Sequence, residues 1–352
     1  MKAGEFAGTP RKVPVLFGSA SALGPSFPSP KADRSYDPKW AYALATISGW
    51  AYSEGQILAD QLQYYGFAGC TVTQVAVSNP AMLIVATAYF VRSADKRVGV
   101  LAFRGTEPTS LINWLTDADT AKYTFGGSKD VHVHSGFFSN VEALWGDIVD
   151  VVHPAFEDGL EELYITGHSL GGAMAVVAAA RIFDDDGPHH PYDRWRSALR
   201  GVYTYGQPIV GDGGFKARFD GLFGAFLYRH IYDDDVVPCL PPTSVDSTFV
   251  HFGVRRAAAT REDSWALNPC DRRADLLAFA SIVESFLTRR IDALHGVHVP
   301  YSLDDHSPRG YIDVSRNSIN PATPRAVALK PTRPAILGRL LWKATHLRPL
   351  SS

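Results

Sequence analysis

Between Glu162 and Phe183 the sequence reads ELYITGHSLGGAMAVVAAARIF, and its hydrophobic pattern changes once, at Ser169. Leu163 to Thr166 is a short apolar, partly β-branched run suited to a buried strand, whereas Leu170 to Phe183 is rich in Ala, Val and Met and long enough for a helix. A strand that passes directly into a helix holds the junction residue in a tight turn. Gly167 and Gly171 stand two positions to either side of Ser169, where missing side chains let the two elements close on each other. The pattern predicts a nucleophile elbow with Ser169 at its tip. A bare GxSxG also occurs in Gly-rich loops, so the strand before and the helix after it carry the reading.

The rest of the chain alternates in the same way. Asp37-Pro38 reads as an N-cap followed by a proline at the first helical position, and Trp40, Leu44, Ile47 and Ala51 follow at helical spacing. Ser53 and Gln56 form a capping-box pattern for a second helix. Strands are predicted over Val72 to Val77, Met82 to Val91 and Arg97 to Phe103, and a helix over Asn140 to Val152 before the elbow strand. After the elbow come a strand over Gly201 to Tyr205, a helix near Phe215 to Leu222 and a strand over Phe226 to Tyr232. Such alternation predicts an α/β fold with a mostly parallel sheet, helices on both faces, and a site at the carboxyl ends of the strands.

Composition narrows the class of function. With 352 residues, 46% of them hydrophobic and 20% charged, the chain has material for one large α/β domain with extensions. A net charge of −2 with both signs interspersed gives no basic signature of nucleic-acid binding. Cys70, Cys239 and Cys270 are odd in number and lack metal-ligand spacing, so neither a metal site nor a disulfide scaffold is expected. The first residues contain no apolar secretory core, and the longest apolar run, Ala81 to Val91, is too short to span a bilayer. Cytoplasmic residence is the default expectation, with secretion open if a leader precedes this sequence.

A serine hydroxyl needs a general base, normally histidine, oriented by a buried carboxylate. The carboxylate should lie just beyond a strand that follows the elbow, and Asp233, Asp234 and Asp235 stand at the end of the strand predicted over Phe226 to Tyr232. Asp235, just before Val236-Val237-Pro238, is the first choice, although an acidic cluster at a strand end also fits a solvated turn. The base is then one of His251, His295, His298 and His306. His306 lies in a polar loop, SLDDHSPRGYIDV; His251 lies in a strand-like run that favours a structural role, and His295 and His298 lie in a Gly-containing linker. His168 adjoins the nucleophile, but neighbouring side chains on an elbow point apart.

Taken together, FRGT, NWLTD, VHSGF, GHSLGG, TYGQPIVGD, DDVVPCLPP, HFG and DHSPRGYI follow one another between about Ala43 and Ile312. In this order the chain resembles the class 3 lipases, the fungal-type triacylglycerol lipase family of α/β-hydrolases. The resemblance implies Ser169 as nucleophile, Asp235 as carboxylate and His306 as base, with Thr106 and the Leu170 N–H as oxyanion-hole donors. It also implies that the amphipathic segment with Leu111, Trp114 and Leu115, which by its pattern alone reads equally as a core-facing helix, is a lid spanning roughly Pro108 to Ala118. The implied activity is that of a cofactor-independent serine carboxylester hydrolase, a triacylglycerol lipase acting on ester or lipid substrates at a lipid–water interface. A phospholipase A1 or feruloyl-type esterase would use the same triad, and a catalytically silent lipid-binding homologue would keep the fold alone.

Two departures from the family pattern stand out. Family members are often secreted with disulfides, of which this sequence shows neither sign. Seventy residues separate Asp235 from His306 and include a helical pattern, Ala274 to Leu294, that reads as an insertion beside the site. The domain expected is 34–316, preceded by a loosely draped Pro/Gly/Ser-rich extension over 1–33 and followed by a basic tail over 317–352. After Asp313 the tail has seven Lys or Arg and no acidic residue, and Leu337, Leu340, Leu341 and Ala344 recur at helical spacing. That pattern suits peripheral contact with an anionic membrane, and fits a frayed or core-packed terminal helix better still.

Overall fold

The strand before the elbow, Glu162–His168, is buried at every position, as a strand covered on both faces must be. The computed structural model describes residues 10–13, 27–31, 33–79, 84–106, 122–184, 192–241, 248–268 and 305–321. Among these the order is β1 (Arg11–Val13), α1 (Pro38–Trp50), α2 (Gly55–Tyr64), β2 (Thr71–Asn79), β3 (Ile84–Arg92), β4 (Val98–Phe103), β5 (Lys122–Thr124), β6 (His132–His134), α3 (Ser135–Glu157) and β7 (Glu162–His168). There follow α4 (Leu170–Phe183), α5 (Asp193–Ala198), β8 (Leu199–Tyr205), β9 (Gly211–Asp212), α6 (Gly213–Phe223), β10 (Leu227–Tyr232), β11 (Phe249–Val250), β12 (Val254–Ala258), β13 (Ala266–Leu267) and α7 (Pro308–Asn317).

Described strands form a main sheet in the order β1-β2-β3-β4-β7-β8-β10-β12-β13. From β4 to β12 every neighbouring pair is parallel. The flanking pairs β1–β2, β2–β3, β3–β4 and β12–β13 are antiparallel. A smaller sheet, β11-β9-β6-β5, lies beside it. In one helical layer α1 packs against β7, β8 and α7. Trp40 of α1 stacks on Tyr164 of β7 with ring centroids 3.8 Å apart, and the Tyr205 hydroxyl donates to the Ala41 carbonyl at 2.5 Å. In the other layer α4 packs on β7 and β8 and against α3. The parallel centre of the sheet with its helical layers is what the alternating pattern predicts.

Local chemistry explains where the bounds differ from expectation. The capping box at Ser53 and Gln56 does not form: α2 begins at Gly55 behind Glu54, with no side-chain cap. Ser53 is used instead by the turn after α1, its N–H donating to Trp50 and its carbonyl accepting from the Tyr89 hydroxyl. Helix α3 starts at Ser135, five residues before Asn140, because the His134 imidazole caps it by accepting the Gly136 N–H at 3.2 Å. That interaction needs a neutral ring, and burial pushes His134 down to about 4. Within the expected extension, Arg11–Val13 pairs with β2, and Phe27 packs edge-on against Phe67 at 5.1 Å. Most of the extension, the Ala274 to Leu294 segment and the tail from 322 onward lie outside the described residues.

Two more histidines are buried in the core. His230 lies between Tyr36 Oη and the Thr204 carbonyl, and burial pushes it down to about 3. Burial, followed by the nearby His306 imidazole, holds His168 well below the ordinary histidine range. A histidine depressed in the native state takes up its proton in the unfolded chain first, so its contribution to stability is full above about pH 6.5 and is lost as pH falls toward the native value. For His134, His168 and His230 together, unfolding free energy should fall by about 4 kcal/mol between pH 7.5 and 5.5. Urea titrations at the two pH values test this, and equal stabilities would contradict it.

Candidate active site

Ser169 occupies the junction of β7 and α4 with φ 59° and ψ −131°. A non-glycine residue held there stores on the order of 1–3 kcal/mol of strain. What holds it is close backbone packing: a Cβ on Gly167 would fall 2.2 Å from the Gly171 backbone, and one on Gly171 would fall 2.2 Å from the Phe103 carbonyl oxygen. The Ser169 N–H also donates to the Tyr205 carbonyl at 2.8 Å, tying the turn to the end of β8. Leu170 opens α4, so its N–H belongs to the first turn, whose donors lack an acceptor one turn back. Thr106 follows Gly105 just past the end of β4, the strand that packs against the start of α4.

At the end of β10 the chain reverses through Asp233, at φ 43°, whose N–H donates to the Ala258 carbonyl. This turn leaves Asp233 and Asp234 half-buried and carries Asp235 inward to 2% exposure. One Asp235 oxygen accepts the Val237 N–H at 2.9 Å. The other lies 2.8 Å from His306 Nδ1 and accepts a hydrogen bond from the Tyr311 hydroxyl. Burial, followed by the Asp235 charge, holds the Tyr311 phenol well above its ordinary range, so it remains a donor. Its oxygen in turn accepts the Tyr232 N–H at 3.3 Å.

Thus the structure brings His306 and Asp235 together, although 70 residues separate them in the sequence. Gly206, next to the Tyr205 carbonyl that holds Ser169, packs against both: its Cβ would lie 2.8 Å from Asp235 Oδ2 and 2.8 Å from His306 Cε1. Ser169 Oγ and His306 Nε2 are both buried and make no hydrogen bond among the described residues. Such bonds are often unformed before substrate binds. His251 faces elsewhere, with Nε2 2.7 Å from the Pro238 carbonyl, and anchors the loop after Asp235. His295 and His298 lie outside the described residues, as do the expected lid residues Leu111, Trp114 and Leu115.

Sequence reasoning missed two aromatic hydroxyls. Tyr311 stands five residues after His306 in DHSPRGYI, and only the turn into α7 returns it to Asp235. Tyr52 sits in the α1–α2 turn and bonds His168 Nδ1 at 2.8 Å. The His168 ring lies beside that of His306, with centroids 4.5 Å apart. Neither tyrosine has a spacing signal, because each approaches from a different helix or turn.

Residues 100–245 match the family model for class 3 lipases. Over this span the chain is similar to the class 3 lipases. Similar proteins include the secreted mono- and diacylglycerol lipase 1 of Fusarium solani, 33% identical over 156 residues, which cover 44% of this chain and 43% of that protein. The lipase of Rhizomucor miehei is 29% identical over 163 residues, or 46% of this chain and 42% of the relative. The chain therefore spans less than half the length of these curated relatives. Among solved structures, the lipase of Rhizopus microsporus var. chinensis superposes with a TM-score of 0.56 at 21% identity, over 84% of this chain and 95% of that one. The fold is that of an α/β-hydrolase.

Among the described residues no cluster of three or more His, Cys, Asp or Glu side chains is arranged to hold a metal ion. Cys70 is a buried thiol whose sulfur accepts from the Gln63 side-chain amide at 3.3 Å. The tight seat of the His306–Asp235 pair gives a test that needs no substrate. Gly206→Ala should displace the imidazole, and the downfield N–H proton resonance of His306 bonded to Asp235 should disappear from the NMR spectrum. Its persistence unchanged would contradict the packing described here.

Proposed function

We propose that this chain is a serine carboxylester hydrolase that cleaves acylglycerols, a triacylglycerol lipase. The observation that carries this reading is the buried His306–Asp235 pair, 2.8 Å apart, which packs on Gly206 next to the Tyr205 carbonyl that holds the strained elbow serine. The match of residues 100–245 to the class 3 lipase model and the likeness to an acylglycerol lipase support the same substrate class.

In the proposed reaction the Ser169 Oγ attacks the ester carbonyl carbon while His306 Nε2 takes the hydroxyl proton. Asp235 stabilises the resulting imidazolium through Nδ1, and the Val237 N–H and Tyr311 hydroxyl fix its two oxygens, so the carboxylate cannot rotate away. The negative charge that develops on the carbonyl oxygen is met by the Leu170 N–H and by Thr106, and one such donor is worth about 10²–10³ in rate. Collapse expels the alcohol, which leaves with the proton from His306. Water then attacks the acyl-enzyme, gives a proton to His306, and releases the fatty acid as Ser169 regains its hydrogen.

The lid, with Leu111, Trp114 and Leu115, and membrane contact through the basic tail belong to the same proposal, since an insoluble acylglycerol is met at an interface. Ser169→Ala should lower kcat on p-nitrophenyl butyrate and on tributyrin by about 10³-fold or more while the protein stays folded. Hydrolysis at the parent rate would overturn the assignment.

A further inference from the structure

The hydroxyl of Tyr52 touches two parts of the site at once. It bonds His168 Nδ1 at 2.8 Å, and a Cβ on Gly105 would fall 2.1 Å from it and 2.7 Å from the His168 carbonyl oxygen. Gly105 immediately precedes Thr106, so the hydroxyl lies at the root of the segment that carries the proposed oxyanion donor. On its other side the His168 ring covers the His306 ring, 4.5 Å between centroids and 36° between planes. The Tyr52 backbone is held independently, in the turn where Ser53 N–H donates to Trp50 and the Ser53 carbonyl accepts from Tyr89.

We propose that Tyr52 and His168 are a positioning pair: the Tyr52 hydroxyl fixes the His168 ring, the face of that ring seats the base His306, and the same hydroxyl buttresses Gly105 beneath the oxyanion segment. This deepens, and rests on, the hydrolase reading above. The catalytic bond from His306 to Asp235 constrains the ring at Nδ1 alone, leaving it free to tilt about that bond. A flat aromatic neighbour on one face and the Gly206 backbone near Cε1 remove that freedom. The neighbour must also stay uncharged when His306 takes a proton from Ser169, or the two rings would repel. Burial, then the His306 charge, keep His168 neutral, with the polar His306 backbone opposing them although it completes no hydrogen bond to His168 Nε2. A mispositioning of about 1 Å in such a site costs about 10²-fold in rate, so loosening the ring acts on kcat and leaves ground-state substrate contacts alone.

The test is steady-state hydrolysis of p-nitrophenyl butyrate by the full chain and its Tyr52→Phe, His168→Phe and double variants, with rates counted per titrated active site. Tyr52→Phe should lower kcat about tenfold with KM within about twofold of the parent. His168→Phe keeps the ring face and loses Nδ1, so it should lower kcat, by no more than Tyr52→Phe, which also withdraws the hydroxyl from Gly105, and the double variant should be no worse than Tyr52→Phe alone. His168→Asn retains a polar atom near the Nδ1 position but no ring, and should lose kcat as well. Should Tyr52→Phe fold poorly, His168→Phe tests the same pair from the other side. Retention of kcat within twofold in Tyr52→Phe or His168→Phe, or losses that multiply in the double variant, would overturn the pair. A parent that hydrolyses no ester would overturn the hydrolase reading itself, and the two failures are thereby distinguished.

Discussion

A serine held at φ 59° between a strand and a helix is stable only if the surrounding backbone leaves it no alternative. Here three pieces of main chain supply that constraint. Gly167 lies against Gly171, Gly171 lies against the Phe103 carbonyl, and the Ser169 N–H is taken by the Tyr205 carbonyl. The elbow thereby locks the ends of β4, β7 and β8 together. Those are the same ends from which Thr106 and Gly206 emerge, so the packing that strains the serine also sets where the proposed oxyanion segment and the seat of the imidazole can be. Any side chain at these contacts would have to move backbone, which is a larger disturbance than a lost hydrogen bond.

Around that backbone frame the polar groups are arranged in layers of dependence. Asp235 is 2% exposed and His306 likewise, and a carboxylate so deeply buried is tolerable only because both its oxygens are occupied by donors. Tyr311 reaches Asp235 from α7, and α7 packs against α1, the helix that leads into the turn bearing Tyr52. The two aromatic hydroxyls therefore enter the site from the same helical layer. Neutral buried histidines recur in this design: His134 caps α3, His168 lies on His306, and His230 spans Tyr36 and Thr204. Each trades acid tolerance for a specific hydrogen bond or contact.

The parts of this arrangement that were legible in the sequence are those encoded within one element. The change of hydrophobic period at Ser169 located the β7–α4 junction to the residue, since a strand and a helix differ in spacing on either side of it. The parallel sheet followed from alternation. Order after the elbow narrowed the carboxylate to Asp233, Asp234 and Asp235 and the base to four later histidines, and the resemblance to class 3 lipases singled out Asp235 and His306. Tyr52 and Tyr311 were not legible, because their value lies in a hydroxyl delivered across the fold and neither sits in a periodic pattern that differs from a core aromatic. The small sheet of β5, β6, β9 and β11 was missed because strands of two or three residues carry no measurable alternation. The His134 cap escaped notice because capping rules seek Ser, Thr, Asp or Asn, and only burial makes an imidazole a dependable acceptor.

The central claim is that one serine among the many in this chain is a base-activated nucleophile. Treatment of the folded protein with a fluorophosphonate, followed by mass-spectrometric mapping, tests it directly. The account predicts a single adduct at Ser169, formed rapidly in the parent, strongly slowed in His306→Ala and absent after unfolding. An adduct at another residue, or labelling of Ser169 at the same rate in native and unfolded protein, would contradict it.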